Sequence, residues 1–139
     1  MVNNSRQSVL AAAHTLIRAF SRHDRIRYFR AFAPGASFIF YSHPIVLATR
    51  AEYEKLWMAW EMDLGFRVLS CESSEQSVQM LGSTAVFRHR VVTTVGTNEG
   101  VSKLYERETI VFQHMDAGKW VAVHEHLSPA YRDDAQIAP

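Results

Sequence analysis

The chain has a single cysteine, Cys71, among 139 residues. One thiol excludes an intramolecular disulfide and any cysteine-rich zinc module, and it suits a reducing compartment. Long apolar runs are also missing: a stretch such as PIVLA falls far short of the ~20 residues of a membrane-spanning helix. Neither sign of charge dominates, with fifteen Lys+Arg against fourteen Asp+Glu and a formal charge of +1. Without a basic excess or a Lys/Arg run there is no electrostatic stripe for a nucleic acid. The segment MVNNSRQSVLAAAH lacks an apolar stretch of signal-peptide length, so the expectation is a cytoplasmic protein. Internal repeats, low-complexity segments and Pro/Gly/Ser linkers are absent. The chain therefore reads as one domain over residues 1–139, with a flexible tail over 130–139. There is no GxSxG, no Gly-rich phosphate loop and no HExxH, and no cofactor or metal is expected.

What is present is apolar and aromatic: 47% of residues are hydrophobic and 12% aromatic, ample for a buried core. Val9, Ala13, Leu16, Ile17 and Phe20 recur at helical spacing, predicting an amphipathic helix over 5–22. Asp24 can cap a short second helix with Ile26, Phe29 and Phe32 on one face, ending before Pro34-Gly35. SFIFYSH, 37–43, reads as a strand. Thr49 and Glu52 form a capping-box pattern for a third helix, with Tyr53, Leu56, Trp57 and Trp60 on one face and Gly65 at its end. From Phe66 the period changes to two, predicting strands over 66–80, 84–95, 101–114 and 119–128, joined by turn-forming clusters such as GTNEG and MDAG. Helices first and long strands last is the order of an α+β fold, with helices packed on one face of a curved antiparallel sheet.

Treating GTNEG as a five-residue loop and MDAG as a four-residue loop sets Arg90 beside Glu106, Arg88 beside Glu108, Glu108 beside Glu125 and Arg107 beside His126. A one-residue slip would exchange the faces. In this register one face carries Arg88, Arg90, Leu104, Glu106, Glu108, Ile110, Phe112, Val121, Val123, Glu125 and Leu127. The other carries Phe87, His89, Val91, Tyr105, Arg107, Thr109, Val111, Trp120, Ala122, His124 and His126. Large apolar side chains on both faces imply that both are covered, one by the helices and one by a second subunit. A homodimer is expected, with Arg107, Trp120, His124 and His126 at the interface.

The first face is apolar at one end and ionisable at the other, which fits either a small-ligand pocket or an ion-pair network at a solvated sheet end. If Glu108 and Glu125 sit together away from water, repulsion raises the apparent pKa of the pair, unless Arg88 or Arg90 offsets it. A raised carboxyl can serve as general acid or base. Glu108 and Glu125 are therefore the catalytic candidates, and Arg90, Tyr41, Tyr53 and Trp57 the candidate ligand contacts. Arg90 or Tyr41 would steady developing negative charge. His124 and His126, with His89 in reach, are geometrically conceivable as a metal site, but interface hydrogen bonding explains them as well, and no metal is assigned. Cys71 reads as a packed thiol.

The element order, together with FAPGASFIF, TRAEYEKLW and the terminal YERETIVFQHMDAGKWVAVHEHLSP, resembles the nuclear-transport-factor-2-like superfamily over residues 5–129. Within it, SnoaL-like proteins and the association domain of calcium/calmodulin-dependent kinase are the nearest in kind. The resemblance implies a cone, in which a strongly bent antiparallel sheet wraps three N-terminal helices and the outer face commonly mediates dimers. Of the positions matching the kinase domain's cavity arginines, Arg90 keeps arginine, whereas Ile110 and Leu127 do not. The superfamily's isomerases and cyclases use a cavity carboxylate as proton shuttle, and SFIFYSH offers none. The function expected is binding of a small organic molecule in a cone pocket, with carboxylate-mediated proton transfer. The alternative is a non-catalytic dimerisation or regulatory assembly domain.

Overall fold

The computed structural model describes residues 6–131. Most of the tail expected over 130–139 lies outside the described residues. Three helices precede the bulk of the sheet: α1 (Arg6–Ser21), α2 (Arg25–Arg30) and α3 (Arg50–Leu64). The strands are β1 (Phe32–Phe40), β2 (Arg67–Leu81), β3 (Thr84–Thr97), β4 (Gly100–His114) and β5 (Trp120–Pro129). None of the helices is long and apolar enough to cross a membrane.

Local chemistry accounts for the helix ends. Asp24 accepts a hydrogen bond from the Arg27 amide at the start of α2. Thr49 accepts from the Glu52 amide at the start of α3, while Glu52 reaches back to the amide of Ala48; both satisfy orphan donors. Gly65 ends α3 in the left-handed region at φ 66°. A Cβ built there would stand 2.2 Å from Asn98 Oδ1, so any other residue would have to displace the Asn98 side chain as well as adopt the left-handed backbone. Within α2 the buried residues are Tyr28 and Phe29, whereas Ile26, expected on the apolar face, is 64% exposed.

The five strands form one curled, unclosed sheet in the order β1-β5-β4-β3-β2. Three of its pairings are antiparallel, but β1 runs parallel to β5. The four long strands β2–β5 are antiparallel as expected, and β1 adds to the sheet edge in parallel. β1 also begins five residues before SFIFYSH and carries Pro34-Gly35 through an irregularity between Phe32 and Ser37, instead of stopping there.

The register differs from expectation at two turns. The β3–β4 hairpin closes with Thr97 opposite Gly100, a two-residue turn at Asn98-Glu99. His89 thereby stands opposite Glu108, and Arg90 opposite Arg107. In β4–β5, His114 pairs with Trp120, and a bulge between Val111 and Phe112 skips Val123, setting Glu108 opposite Leu127 and Ile110 opposite Glu125. The one-residue slip exchanges the faces of β3: Phe87 and His89 turn toward the helices, and Arg88 and Arg90 turn away. The bulge exchanges the start of β5, so Trp120 and Ala122 share the Phe112 face.

The core lies between the inner sheet face and the helices. Val9, Ala13 and Leu16 of α1, Tyr28 and Phe29 of α2, and Tyr53 and Trp57 of α3 meet Phe38, Phe87, Ile110, Phe112 and Ala122. Around Tyr28 the rings of Phe29, Phe32 and Tyr53 pack edge to face, with centroids 5.0 to 6.0 Å apart. Such pairs add specificity to burial.

Candidate functional site

The core does not fill the wide end of the cone. A cavity of about 310 Å³ remains there, walled by Leu16, Ile17 and Phe20 of α1, Tyr53, Trp60 and Leu64 of α3, and Val91, Thr93 and Val95 of β3. Phe40, Phe66, Cys71, Leu104 and Leu127 complete the apolar lining, and Tyr28, Glu106, Glu108 and Glu125 supply the ionisable part. No lysine, arginine or histidine belongs to this wall.

The carboxyls are organised by hydrogen bonds that run through the sheet. Tyr28 Oη donates to Glu125 Oε1 at 3.2 Å and lies 3.0 Å from Tyr53 Oη. Glu125 and Glu108, diagonal neighbours on β5 and β4, share a hydrogen bond. Glu108 Oε1 is 2.6 Å from His89 Nε2, and His89 Nδ1 is 2.6 Å from Ser73 Oγ, which in turn accepts from Gln76 Nε2. One proton arrangement satisfies every member. Ser73 donates to Nδ1, the Nε2–H of a neutral His89 donates to Glu108, and a protonated Glu125 donates to the same carboxylate.

The electrostatics agree with that arrangement. Burial pushes the Glu125 carboxyl well above its ordinary 4.5, and the charge of Glu108 adds to the rise. Burial raises Glu108 too, with the hydrogen bond from Glu125 opposing. Glu106 is raised by burial and held back by the Tyr41 hydroxyl, which donates to its Oε2 at 2.7 Å. Burial lowers His89 to about 4, against the pull of Glu125. The 2.6 Å contact of His89 with Glu108 has the geometry of an ion pair, yet desolvation decides it, and the contact is a neutral imidazole donating to a carboxylate. Burial also pushes the Tyr28 and Tyr53 hydroxyls well above 10 and the Cys71 thiol to about 12.

Glu108, Glu125 and Tyr53, read from sequence as site residues, come together at this cavity. The remaining candidates lie elsewhere. Arg90 is on the opposite sheet face because of the β3 slip, and its guanidinium donates to the Tyr131 carbonyl. Trp57 is fully buried in the core, its Nε1 donating to Glu61 Oε2 at 2.9 Å. Tyr41 is about half exposed and reaches the cavity only through Glu106. Of the interface candidates, Arg107 and His126 are exposed on the outer face and His124 is bonded to Ser37 Oγ. Trp120 turns inward, 8% exposed, with its ring 5.0 Å from that of His114. Among the described residues no cluster of three or more His, Cys, Asp or Glu is arranged to hold a metal.

Sequence reasoning missed Tyr28, Ser73 and the inward direction of His89. His89 was detectable through one signal, a two-residue reading of the Asn98-Glu99 turn.

A bent sheet over three helices, with an apolar cavity ending in acids, agrees with what family comparison finds: the SnoaL-like domain matches residues 9–132. The chain belongs to this family. Solved structures carry the same fold as this SnoaL-like domain. A ketosteroid isomerase-like protein from Erwinia carotovora atroseptica superposes with a TM-score of 0.72 at 19% identity, over 87% of this chain and 92% of the other. The CaMKII hub of S. rosetta gives 0.71 at 21%, over 89% and 95%. A nuclear transport factor 2-like superfamily protein from Salmonella enterica gives 0.76 at 15%, over 99% and 98%. At these identities the likeness concerns the fold alone. No curated protein matches the sequence of this SnoaL-like domain at a significant level.

Proposed function

We propose that the cone cavity binds a small, largely apolar, uncharged organic molecule and that Glu108 and Glu125 move a proton on it. The observation that carries this reading is a cavity of about 310 Å³ whose apolar walls end in a hydrogen-bonded carboxyl pair with no basic side chain in the lining. Its volume is at the small end of the ~300–1,000 Å³ usual for small-molecule pockets. Three glutamates without a cation repel carboxylate and phosphate ligands, while a carbonyl oxygen finds donors in Glu125 and the tyrosine hydroxyls. In the step proposed, the Glu108 carboxylate takes a proton from the carbon beside a carbonyl and Glu125 gives its proton to the carbonyl oxygen. An enol results, and reversal at the same or another carbon returns both protons. Two carboxyls held in different protonation states are the arrangement such acid–base work requires.

The alternative, an assembly domain with a vestigial cavity, predicts that large side chains fill the cone and leave the charges in solvent. Glu106 and Glu125 are instead 6% and 4% exposed, beside an open volume. Trp120 belongs to the interior, so the homodimer expected through the outer face has only Arg107, His124 and His126 left to carry it.

The test is deuterium incorporation from D₂O into cyclohexanone, followed by NMR, beside saturation-transfer contacts with cyclohexanone and cyclohexanecarboxylate. The reading predicts contacts for the ketone only and exchange faster than in buffer, with E108Q losing about 10²-fold or more. Equal contacts for the carboxylate would contradict the ligand class, and exchange no faster than in buffer would contradict the proton transfer.

A further inference from the structure

The outer face of the sheet carries a second concavity, which shares Glu108 with the lining of the cone but is rich in arginine. Arg90 stands directly across from Arg107, and Arg88 across from Thr109. One strand further, Arg107 faces Ser128 and Thr109 faces His126. These residues and Ser77 wall a depression of about 660 Å³. Arg88 and Arg107 are exposed and Arg90 is half-buried.

Like charges directly opposite in a ladder destabilise it, so a cross-strand arginine pair calls for compensation. Among the described residues none of the ion pairs involves Arg88, Arg90 or Arg107. Two acids also border the depression, Glu75 and Glu108. Glu108 is engaged with His89 and Glu125 on the inner side. Arg90 gives one N–H to the Tyr131 carbonyl, and the remaining donors of the three guanidiniums, each a planar fork of five N–H groups, together with three hydroxyls outnumber what one carboxylate can accept. They match the three terminal oxygens of a phosphoryl group, or the larger set of a diphosphate.

We propose that this arginine cradle on β3, β4 and β5 is a binding site for a small phosphoryl-bearing anion. The anion sits between Arg90 and Arg107, removes their repulsion and takes hydroxyl bonds from Thr109 and Ser128.

The experiment titrates the full chain with inorganic pyrophosphate, and separately with malonate, at constant ionic strength, reading backbone amide shifts. The expected result is saturable one-site binding with shifts at 88, 90, 107, 109, 126 and 128, and pyrophosphate at least ten-fold tighter than malonate. R107Q weakens binding at least ten-fold and melts no lower than the parent, since it relieves a like-charge pair. Binding unchanged in R107Q, or shifts confined to Arg18 and Arg27 of the helices and Arg22 of the turn between them, would overturn the proposal. So would a dimer by light scattering whose outer-face amides ignore pyrophosphate, which assigns the face to a second copy. Binding seen only after D133N/D134N substitution would overturn it in favour of the chain's own acidic terminus.

Discussion

Glu125 is the residue on which the proposed chemistry of the cavity turns. Its carboxyl is fully buried, accepts from Tyr28 and shares a proton with Glu108, so the folded protein holds that proton more tightly than the unfolded chain. Stability therefore falls as pH rises from 4.5 toward the raised folded pKa, because deprotonation favours the unfolded state across that window. His89 acts in the opposite sense. With its folded pKa lowered to about 4 from 6.5, it adds stability as pH rises from 4 to 6.5 and nothing further above that. Gln is the uncharged, equally shaped stand-in for a protonated Glu125. Relative to the parent, E125Q should gain stability as pH rises above 4.5 in urea unfolding, and parallel curves for the two proteins would contradict a buried carboxyl with a raised pKa. Cys71 gives a second check at this scale. A thiol with its pKa pushed to about 12 holds almost no thiolate at pH 8, so it should react with iodoacetamide at least ten-fold more slowly than free cysteine. Reaction at the free-cysteine rate would mean that the cavity wall is open at β2.

At the scale of elements, the helix caps were legible in the sequence, whereas the end of α2 at Arg30, which leaves Phe32 in β1, and the strand register were not. Asp24, Thr49, Glu52 and Gly65 act within a few residues of their own positions, and local chemistry of that kind survives in any tertiary context. Register depends instead on how many residues a turn uses. GTNEG permits five or two, and the tight Asn98-Glu99 turn exchanges Arg90 for His89 at the inner face. The Val123 bulge leaves no sequence signal, yet it turns Trp120 inward. α2 spans six residues, too short for its period to distinguish Tyr28 from Ile26 as the buried side. Glu108 and Glu125 stayed together because two residues of slip preserve the face. Gly65 supplies the prediction here. G65A combines a left-handed φ with a 2.2 Å approach to Asn98, and should lose more than about 1 kcal/mol. T49A removes only the cap of α3 and should lose about 1 kcal/mol. Thermal unfolding that places G65A above T49A would contradict the packing of Asn98 against the end of α3.

For the molecule as a whole, the same sheet presents acid to its inside and base to its outside. A formal charge of +1 conceals three inward glutamates in an apolar cavity and three outward arginines in an open depression. The two sites follow from one register and can be separated by mutation. V91F narrows the cavity from β3 and should abolish cyclohexanone contacts while leaving the response to pyrophosphate intact; loss of both responses would mean that the substitution disturbs the sheet and not the cavity alone. The central claim is that the cone encloses a carboxyl pair in which burial and the neighbouring charge raise the pKa of Glu125. Its most direct measurement is a ¹³C NMR titration of the glutamate side-chain carboxyls, assigned with E108Q and E125Q. The structure predicts that the Glu125 resonance titrates well above the ordinary carboxyl value of 4.5; a Glu125 carboxyl that ionises at that ordinary value would contradict it.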